Sequence, residues 1–313
     1  MSALLFPGQG SQVVGMCSEF YKNFDLVKKI FKQADNKLEY PISKLILEGP
    51  ENDLQLTKNT QPAILTVSYS IYKVLKNEFD FDFSEFKYFA GHSLGEYSAL
   101  VCSGSLNFED ALYLLHQRGQ AMQAAVPVGV GSMLAVLGLK TDEIINLLKS
   151  RKNDEGVCEV ANDNAEGQVI ISGDKKSINF FQIFLKEKKI KSIPLKVSAP
   201  FHCSLMKPAS NFMEDKINNV KFNDPLFQIV NNVTAMPEKN SDNIKKLLIK
   251  QIFSTVKWRE SLIKMQENGV KNYVEIGPGK TLTGMVKRTI KNVNCFSINS
   301  ITDIKNFINE FKK

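Results

Sequence analysis

The sequence predicts an α/β protein in which a mainly parallel sheet is interrupted by a smaller ferredoxin-like unit. Strand and helix patterns alternate near both ends of the 313-residue chain, as they do around parallel sheets. The segment between them shows the order strand, helix, strand, strand, helix, strand, which is the ferredoxin-like βαββαβ order. With 43% hydrophobic and 23% charged residues, the composition is that of an ordinary globular protein.

The N-terminal part begins with a strand. Apolar residues 3–6 stop at the sequence PGQG, which predicts a buried strand that ends in a tight loop. Apolar residues recur at helical spacing between Phe24 and Leu38, and a second helix is predicted from about residue 60, just before Pro62, to about residue 76. The pattern then predicts a strand at 86–90, a turn at 91–95, a helix at 94–101 and a longer helix at 107–126.

The central unit is predicted to span residues 128–197, so that the larger domain is discontinuous and consists of residues 1–127 and 198–313. Pro127, Gly129 and Gly131 break the preceding helix and mark the entry to this unit. Within the unit, strands are predicted at 132–137, 157–161, 168–172 and 190–195, with helices at 141–150 and 175–187. Beyond it, the pattern predicts strands at 227–230 and 273–276, helices between 241 and 268, and a last helix near 303–312.

Charge and cysteine patterns narrow the class of protein. The net charge is +7, but the lysines are spread along the chain and no nucleic-acid motif occurs, so we expect a solvated basic surface, with attraction to an anionic partner as the alternative. No apolar run reaches the roughly 18 residues that suggest a membrane helix, and the first residues lack the features of a signal peptide. The five cysteines are scattered without a CxxC pair. We therefore expect a cytoplasmic protein that binds neither nucleic acid nor membrane.

A nucleophile motif follows the strand at 86–90. The pentapeptide GHSLG at 91–95 matches G-x-S-x-G, in which a serine on a sharp strand-to-helix turn exposes its hydroxyl. The pentapeptide alone is a weak signal, but here it lies between a predicted strand and a predicted helix. We predict that Ser93 is the nucleophile.

A serine nucleophile needs a base within hydrogen-bond reach, and the chain has only three histidines, at positions 92, 116 and 202. We expect His92, adjacent to the nucleophile, to point away from it, and His116, within a predicted helix, to be structural. His202 lies in an irregular segment between the two domains, where a loop can present an imidazole to a cleft. We predict that His202 is the base; the alternative is a histidine that only packs at this junction. No nearby acid stands out as its orienting partner.

Arg118 lies on the apolar face of the predicted helix at 107–126, among leucines and alanines. A buried guanidinium needs an anionic partner, and its planar, two-pronged donor suits a carboxylate. We predict that Arg118 binds an acidic substrate. An internal salt bridge, or a side chain that reaches out to solvent, would explain the same position.

A glycine-rich loop, GQGSQ at residues 8–12, follows the first strand, and its backbone amides are candidates for an oxyanion hole beside Ser93. The loop lacks the complete G-x-G-x-x-G fingerprint and the acidic ribose ligand of dinucleotide-binding folds. The sequence also contains neither a Walker motif nor a cluster of metal ligands. We therefore expect no metal and no tightly bound cofactor.

Seven motifs follow one another along nearly the whole chain. They are PGQGSQ, GHSLGEYSAL, HQRGQAM, GSMLAVLG, NDNAEGQVIISG, APFHC and EIGPGKTL. Together they resemble the malonyl-CoA to acyl-carrier-protein transacylase family of fatty acid synthesis. The resemblance implies an α/β-hydrolase-like core with an inserted ferredoxin-like subdomain. It also implies a ping-pong reaction, in which the Ser93 hydroxyl takes the malonyl group from malonyl-CoA and the phosphopantetheine thiol of acyl carrier protein collects it.

The resemblance also implies roles for individual residues. His202 would move the proton in both half-reactions, oriented by the backbone carbonyl of Gln251 rather than by an acid. The backbone N–H groups of Gln9 and Leu94 would form the oxyanion hole, and Arg118 would pair with the free malonyl carboxylate.

One departure concerns acyl specificity. Phe201 stands before the base where many bacterial members of the family carry serine, while phenylalanine is also found there in malonyl-selective acyltransferase domains. We expect Phe201 to contribute to selection of the acyl group. The resemblance further implies an acidic acyl carrier protein as a transient partner and a CoA thioester as donor, and we expect the enzyme to be a monomer.

Two other classes of protein share some of these features. A serine hydrolase such as a thioesterase would use the same turn, but its triad order places a histidine near the C-terminus. Here no histidine follows His202 in the last 111 residues (313 minus 202). A non-catalytic docking protein of the same fold would not need Ser93, His202 and Arg118 together.

Overall fold

The computed structural model describes residues 1–127, 129–150, 156–195, 197 and 199–311. Its strands are β1 (Ser2–Phe6), β2 (Phe86–Gly91), β3 (Gly131–Leu137), β4 (Cys158–Ala165), β5 (Gln168–Asp174), β6 (Ser192–Pro194), β7 (Gln228–Val230), β8 (Pro237–Glu238), β9 (Asn272–Ile276) and β10 (Asn294–Ile298). Its helices are α1 (Ser18–Asn23), α2 (Asp25–Leu38), α3 (Ile42–Glu48), α4 (Glu51–Leu54), α5 (Thr57–Asn77), α6 (Gly95–Cys102), α7 (Phe108–Ala124), α8 (Thr141–Lys149), α9 (Lys175–Glu187), α10 (Lys207–Asn218), α11 (Ser241–Gln251), α12 (Trp258–Glu267), α13 (Thr281–Thr289) and α14 (Ile301–Phe311).

The main sheet has the strand order β10-β9-β1-β2-β7-β8 and is parallel except for the pairing of β8 with β7. Helices cover it, and β1 in its middle is buried along its whole length. This confirms the predicted α/β fold with a mainly parallel sheet. The edge strand β10, of sequence NCFSI, was not predicted, because a polar residue at every second or third position hides the apolar run.

The second sheet has the order β4-β5-β3-β6 and is antiparallel throughout. Numbered along the unit, its strands lie in the order second, third, first, fourth, and α8 and α9 supply its helices, as the βαββαβ pattern predicted. An apolar cluster that includes Leu134, Ile144, Ile171 and Phe181 joins these helices to the sheet. The division at 1–127, 128–197 and 198–313 stays a prediction; residues 128 and 198 themselves lie outside the described residues.

The parallel arrangement of β1 and β2 brings two loops together. Their registers run from Ser2 beside Phe86 to Phe6 beside Gly91, so both strands end at the same edge of the sheet. The His92 N–H donates to the Phe6 carbonyl at 3.0 Å. The glycine-rich loop after β1 and the turn after β2 therefore share the edge where α/β folds bind ligands.

Helix α5 starts three residues earlier than predicted, at Thr57, and Pro62 lies inside it. Proline has no N–H to donate to the carbonyl four residues back, which is that of Lys58. His116 Nδ1 supplies the missing hydrogen bond to this carbonyl at 3.1 Å. The contact gives His116 a structural role at the junction of α5 and α7.

Helix α7 packs closely against the first turn of α5. A Cβ at Gly119 would lie 2.6 Å from the Lys58 Cα and 2.7 Å from the Thr57 carbonyl oxygen, so only glycine permits this approach. The neighbouring residue, Arg118, is among the buried residues of α7 next to this contact.

Candidate active site

Ser93 occupies a strained turn between β2 and α6. Its φ is +53°, in the left-handed region that non-glycine residues rarely adopt. The two glycines of the motif make room for the turn: a Cβ on Gly91 would lie 1.9 Å from the Gly95 carbonyl group, and one on Gly95 would lie 2.2 Å from the Phe6 oxygen. The turn therefore requires both glycines, and it exposes the Ser93 hydroxyl above the sheet edge.

Ser93 and His202 form a hydrogen-bonded pair. Ser93 Oγ and His202 Nε2 are 2.8 Å apart, although the residues are 109 positions apart in sequence. His202 also has a left-handed backbone, with φ of +60°, and it is only 5% exposed. Two strained residues thus meet in one place, which is typical of functional sites.

The second nitrogen of the imidazole fixes its tautomer. His202 Nδ1 lies 2.9 Å from the backbone oxygen of Gln251, which can only accept, so Nδ1 carries the proton. Nε2 is then unprotonated and accepts the hydrogen bond from the Ser93 hydroxyl. Burial, followed by the positive charge of Arg118, lowers the pKa of His202 to about 3, so the imidazole is neutral at pH 7 and able to act as a base.

Arg118 lies beside this pair and is 1% exposed. Its Nη1 donates to Gln61 Oε1 at 2.8 Å, and its Nη2 donates to Ser93 Oγ at 3.1 Å and to Gln251 Oε1 at 2.9 Å. Within the described part of the chain, no carboxylate is within ion-pair distance of the guanidinium and its Nε has no hydrogen-bond partner. Among the described residues the guanidinium therefore has no internal salt bridge, its head group does not reach solvent, and its positive charge has no anionic partner.

A cavity of about 270 Å³ opens over these side chains. Gln9 and Leu94 line it, and in the described residues neither backbone N–H donates a hydrogen bond to another group. Its apolar walls include Met133 and Ile170 from the smaller sheet together with Phe201, which is 7% exposed. The cavity therefore lies where the two sheets face each other.

The other two histidines make different contacts. His92 also lines the cavity, but its Nε2 lies 2.8 Å from Asn164 Oδ1 of β4 rather than beside Ser93. His116 bonds the Lys58 carbonyl, as described above. Among the described residues no group of three or more His, Cys, Asp or Glu side chains is placed to hold a metal ion, and no helix there is long and apolar enough to span a membrane.

Sequence reasoning missed two polar residues below the turn and the side-chain role of a third. Asn232, just after β7, is fully buried, and Glu96 in α6 is 1% exposed. The Gln251 side chain bonds both of them, whereas the family resemblance had implied a role only for its backbone carbonyl. Two signals were available: a carboxylate in the otherwise apolar helix GEYSALVC, and an asparagine pair at the carboxyl end of a parallel strand.

Comparison with known proteins places this site in context. Residues 3–311 match the family described as acyl transferase domain. The chain is 42% identical over 310 residues to a malonyl CoA-acyl carrier protein transacylase of Haemophilus influenzae, covering 99% of this chain and 98% of the relative. It is 39% identical over 313 residues to the protein of the same name in Bacillus subtilis, covering 99% and 97%.

Solved structures of similar fold are also malonyltransferases. The acyl-carrier-protein-S-malonyltransferase of Bartonella henselae superposes with a TM-score of 0.96 at 37% identity, covering 100% of this chain and 99% of that one. A malonyl-transacylase solved in complex with its type II PKS acyl-carrier protein has a TM-score of 0.94 at 36% identity, with 99% of both chains covered.

Proposed function

The chain belongs to the acyl transferase domain family, and from that premise we propose that Ser93 carries a malonyl group from malonyl-CoA to acyl carrier protein, with His202 as the base. The enzyme is an acyltransferase, an S-malonyltransferase, that transfers malonyl from CoA to acyl carrier protein in fatty acid synthesis. The observation that carries the residue assignment is the 2.8 Å Ser93–His202 pair beside a buried arginine that has no carboxylate partner among the described residues.

In the first half-reaction the Ser93 oxygen attacks the thioester carbonyl while its proton moves to His202 Nε2. The resulting oxyanion accepts hydrogen bonds from the backbone N–H groups of Gln9 and Leu94. Collapse of this intermediate breaks the carbon–sulfur bond and expels CoA as thiolate, which takes the proton from His202. The product is a malonyl ester of Ser93.

The second half-reaction reverses the sequence with a different thiol. The phosphopantetheine thiol of acyl carrier protein gives its proton to His202, and its sulfur attacks the Ser93 ester. The serine leaves as alkoxide and is reprotonated by His202, so the base returns to its neutral form. The Gln251 carbonyl stabilises the imidazolium that exists between these steps, because the Nδ1 proton already points to it.

Arg118 supplies acid selection. Arg118 lines the cavity without a carboxylate partner among the described residues, and its Nη2 lies 3.1 Å from Ser93 Oγ, about where an acyl group on Ser93 must begin, so its positive charge suits the free malonyl carboxylate. Phe201 on the cavity wall limits the size of the acyl group. We further propose that the enzyme works as a cytoplasmic monomer without a tightly bound cofactor.

Turnover of malonyl-CoA with and without acyl carrier protein tests this function against the hydrolase alternative. We expect rapid CoA release only when carrier protein is present, apart from one equivalent that loads Ser93. Equal turnover without carrier protein would identify a thioesterase.

The salt dependence of the second half-reaction tests the partner. Since the chain is basic and carrier proteins of this pathway are acidic, carrier-dependent kcat/KM should fall as salt rises from about 0.05 to 0.5 M.

A further inference from the structure

Both backbone polar groups of Ser93 are held by side chains from distant parts of the chain. The Ser93 N–H donates to Asn232 Oδ1 at 2.7 Å, and the Ser93 carbonyl accepts from Gln251 Nε2 at 3.1 Å. Asn232 Nδ2 also donates to the Gly91 carbonyl at 2.8 Å. A left-handed serine is costly by itself, so contacts that fix its peptide groups on both sides keep it in the reactive geometry.

Glu96 joins these two clamping residues. Its Oε2 accepts from Gln251 Nε2 at 2.8 Å and from the Asn232 backbone N–H at 3.1 Å. Because Gln251 Oε1 accepts from Arg118, the amide of Gln251 connects the Glu96 carboxylate to the guanidinium. The Glu96 carboxylate therefore orients both Asn232 and Gln251, which hold the Ser93 backbone. Glu96 itself lies in the first turn of α6, directly after the turn that carries Ser93.

Burying the Glu96 carboxylate costs folding free energy. Glu96 is 1% exposed and forms no ion pair within the described residues, so an uncharged side chain would fill the same volume at lower cost. Hydrogen bonds to a charged acceptor are stronger than those to a neutral one, however, and they set the direction of both amides. This points to a role in the site rather than in general packing.

We propose that Glu96 is a positioning residue for the nucleophile: its buried carboxylate aims Asn232 and Gln251, which hold the Ser93 backbone, so that the hydroxyl meets His202. The role rests on the proposed function of Ser93 and extends it. Glu96 touches neither the substrate nor the reacting atoms, and it should act on the acylation step rather than on the choice of acyl group.

The titration of Glu96 gives this role a distinct signature. Burial raises the pKa of Glu96 to about 7, whereas the pKa of His202 is lowered to about 3. Among the described residues, the charged or titratable groups that interact with Glu96 are Arg118 on α7 and Tyr97 on α6, and neither changes charge near pH 7. We therefore expect activity to fall as Glu96 is protonated below pH 7, and a variant that cannot be protonated at this position separates Glu96 from the base.

The test compares Glu96→Gln and Glu96→Ala in the pre-steady-state burst of CoA release. At pH 8 we expect acylation about 5- to 10-fold slower in Glu96→Gln, which keeps neutral hydrogen bonds, and about 100-fold slower in Glu96→Ala. The malonyl-CoA concentration that gives half the maximal burst rate and the preference for malonyl over acetyl should not change. The wild-type rate should fall below pH 7 to the Glu96→Gln level, while Glu96→Gln should be flat.

Asp35→Asn is the matched control. Asp35 accepts from the backbone N–H and the hydroxyl of Ser43, and neither residue lines the cavity, so its loss should lower the melting temperature without slowing acylation. If Glu96→Ala does not fold, Glu96→Gln carries the test. An unchanged burst rate, or a pH limb that persists in Glu96→Gln, would overturn this role while leaving the Ser93 function intact. A wild-type enzyme without any burst would overturn both.

Discussion

Replacing Ser93 or His202 by alanine should lower kcat/KM for malonyl transfer by about 10⁴-fold or more. Without Ser93 there is no oxygen to carry the acyl group, and without His202 the hydroxyl keeps its proton. Because the two side chains act as one hydrogen-bonded unit, the double variant should lose no more than the worse single variant. Steady-state kinetics with malonyl-CoA and acyl carrier protein measures all three losses.

The folded state of these variants serves as the control. Ser93→Ala keeps the backbone bonds to Asn232 and Gln251, so its melting temperature should stay near that of the wild type. Losses that multiply in the double variant would mean that Ser93 and His202 act independently, which the 2.8 Å contact argues against.

Replacing Arg118 by alanine should remove the preference for an acid substrate. Leaving the malonyl carboxylate without its partner in a desolvated cavity typically costs about 2 to 5 kcal/mol, which is about 30-fold to several thousand-fold in kcat/KM for malonyl-CoA. Acetyl-CoA has no such charge, so its transfer should not share this loss. The measurement is the ratio of the two kcat/KM values in wild type and variant.

The ratio of the two kcat/KM values also distinguishes carboxylate binding by Arg118 from its other effects in the site. The guanidinium donates to Ser93 Oγ and depresses the pKa of His202, and both effects act equally on either acyl group. They cancel in the ratio, whereas carboxylate binding does not. Arg118→Lys should recover only part of the preference, because one ammonium cannot reproduce a two-pronged contact. Equal losses on both donors in a folded variant would make Arg118 a structural residue.

The sequence predicted the parts of this molecule that depend on local patterns. Strand β2, the glycine turn and helix α6 follow from an apolar run and a G-x-S-x-G motif. His202 could be identified because the chain has only three histidines, and Arg118 because it lies on the apolar face of a predicted helix. The structure brings His202 and Arg118, from separate segments, each within hydrogen-bond distance of Ser93 Oγ.

The remainder depends on tertiary contacts that no local pattern records. Asn232 follows a strand of only three residues, and its use became visible only when β7 paired beside β2. The early start of α5 ahead of Pro62 was not predicted, because the Lys58 carbonyl that Pro62 leaves unbonded is satisfied by His116, which lies 58 positions after Lys58 in the sequence. The family resemblance implied a role for the Gln251 carbonyl, but the contacts of the Gln251 side chain depend on segments distant in sequence and could not be predicted.

The most direct test of the central claim is to incubate the enzyme with malonyl-CoA alone and locate the acyl group by intact-mass and peptide mass spectrometry. The account predicts one malonyl group per chain, recovered on the peptide that contains Ser93, absent from Ser93→Ala and lost when acyl carrier protein is added. Label on Cys102 or Cys203 instead, or no covalent label in an enzyme that still transfers malonyl, would contradict it.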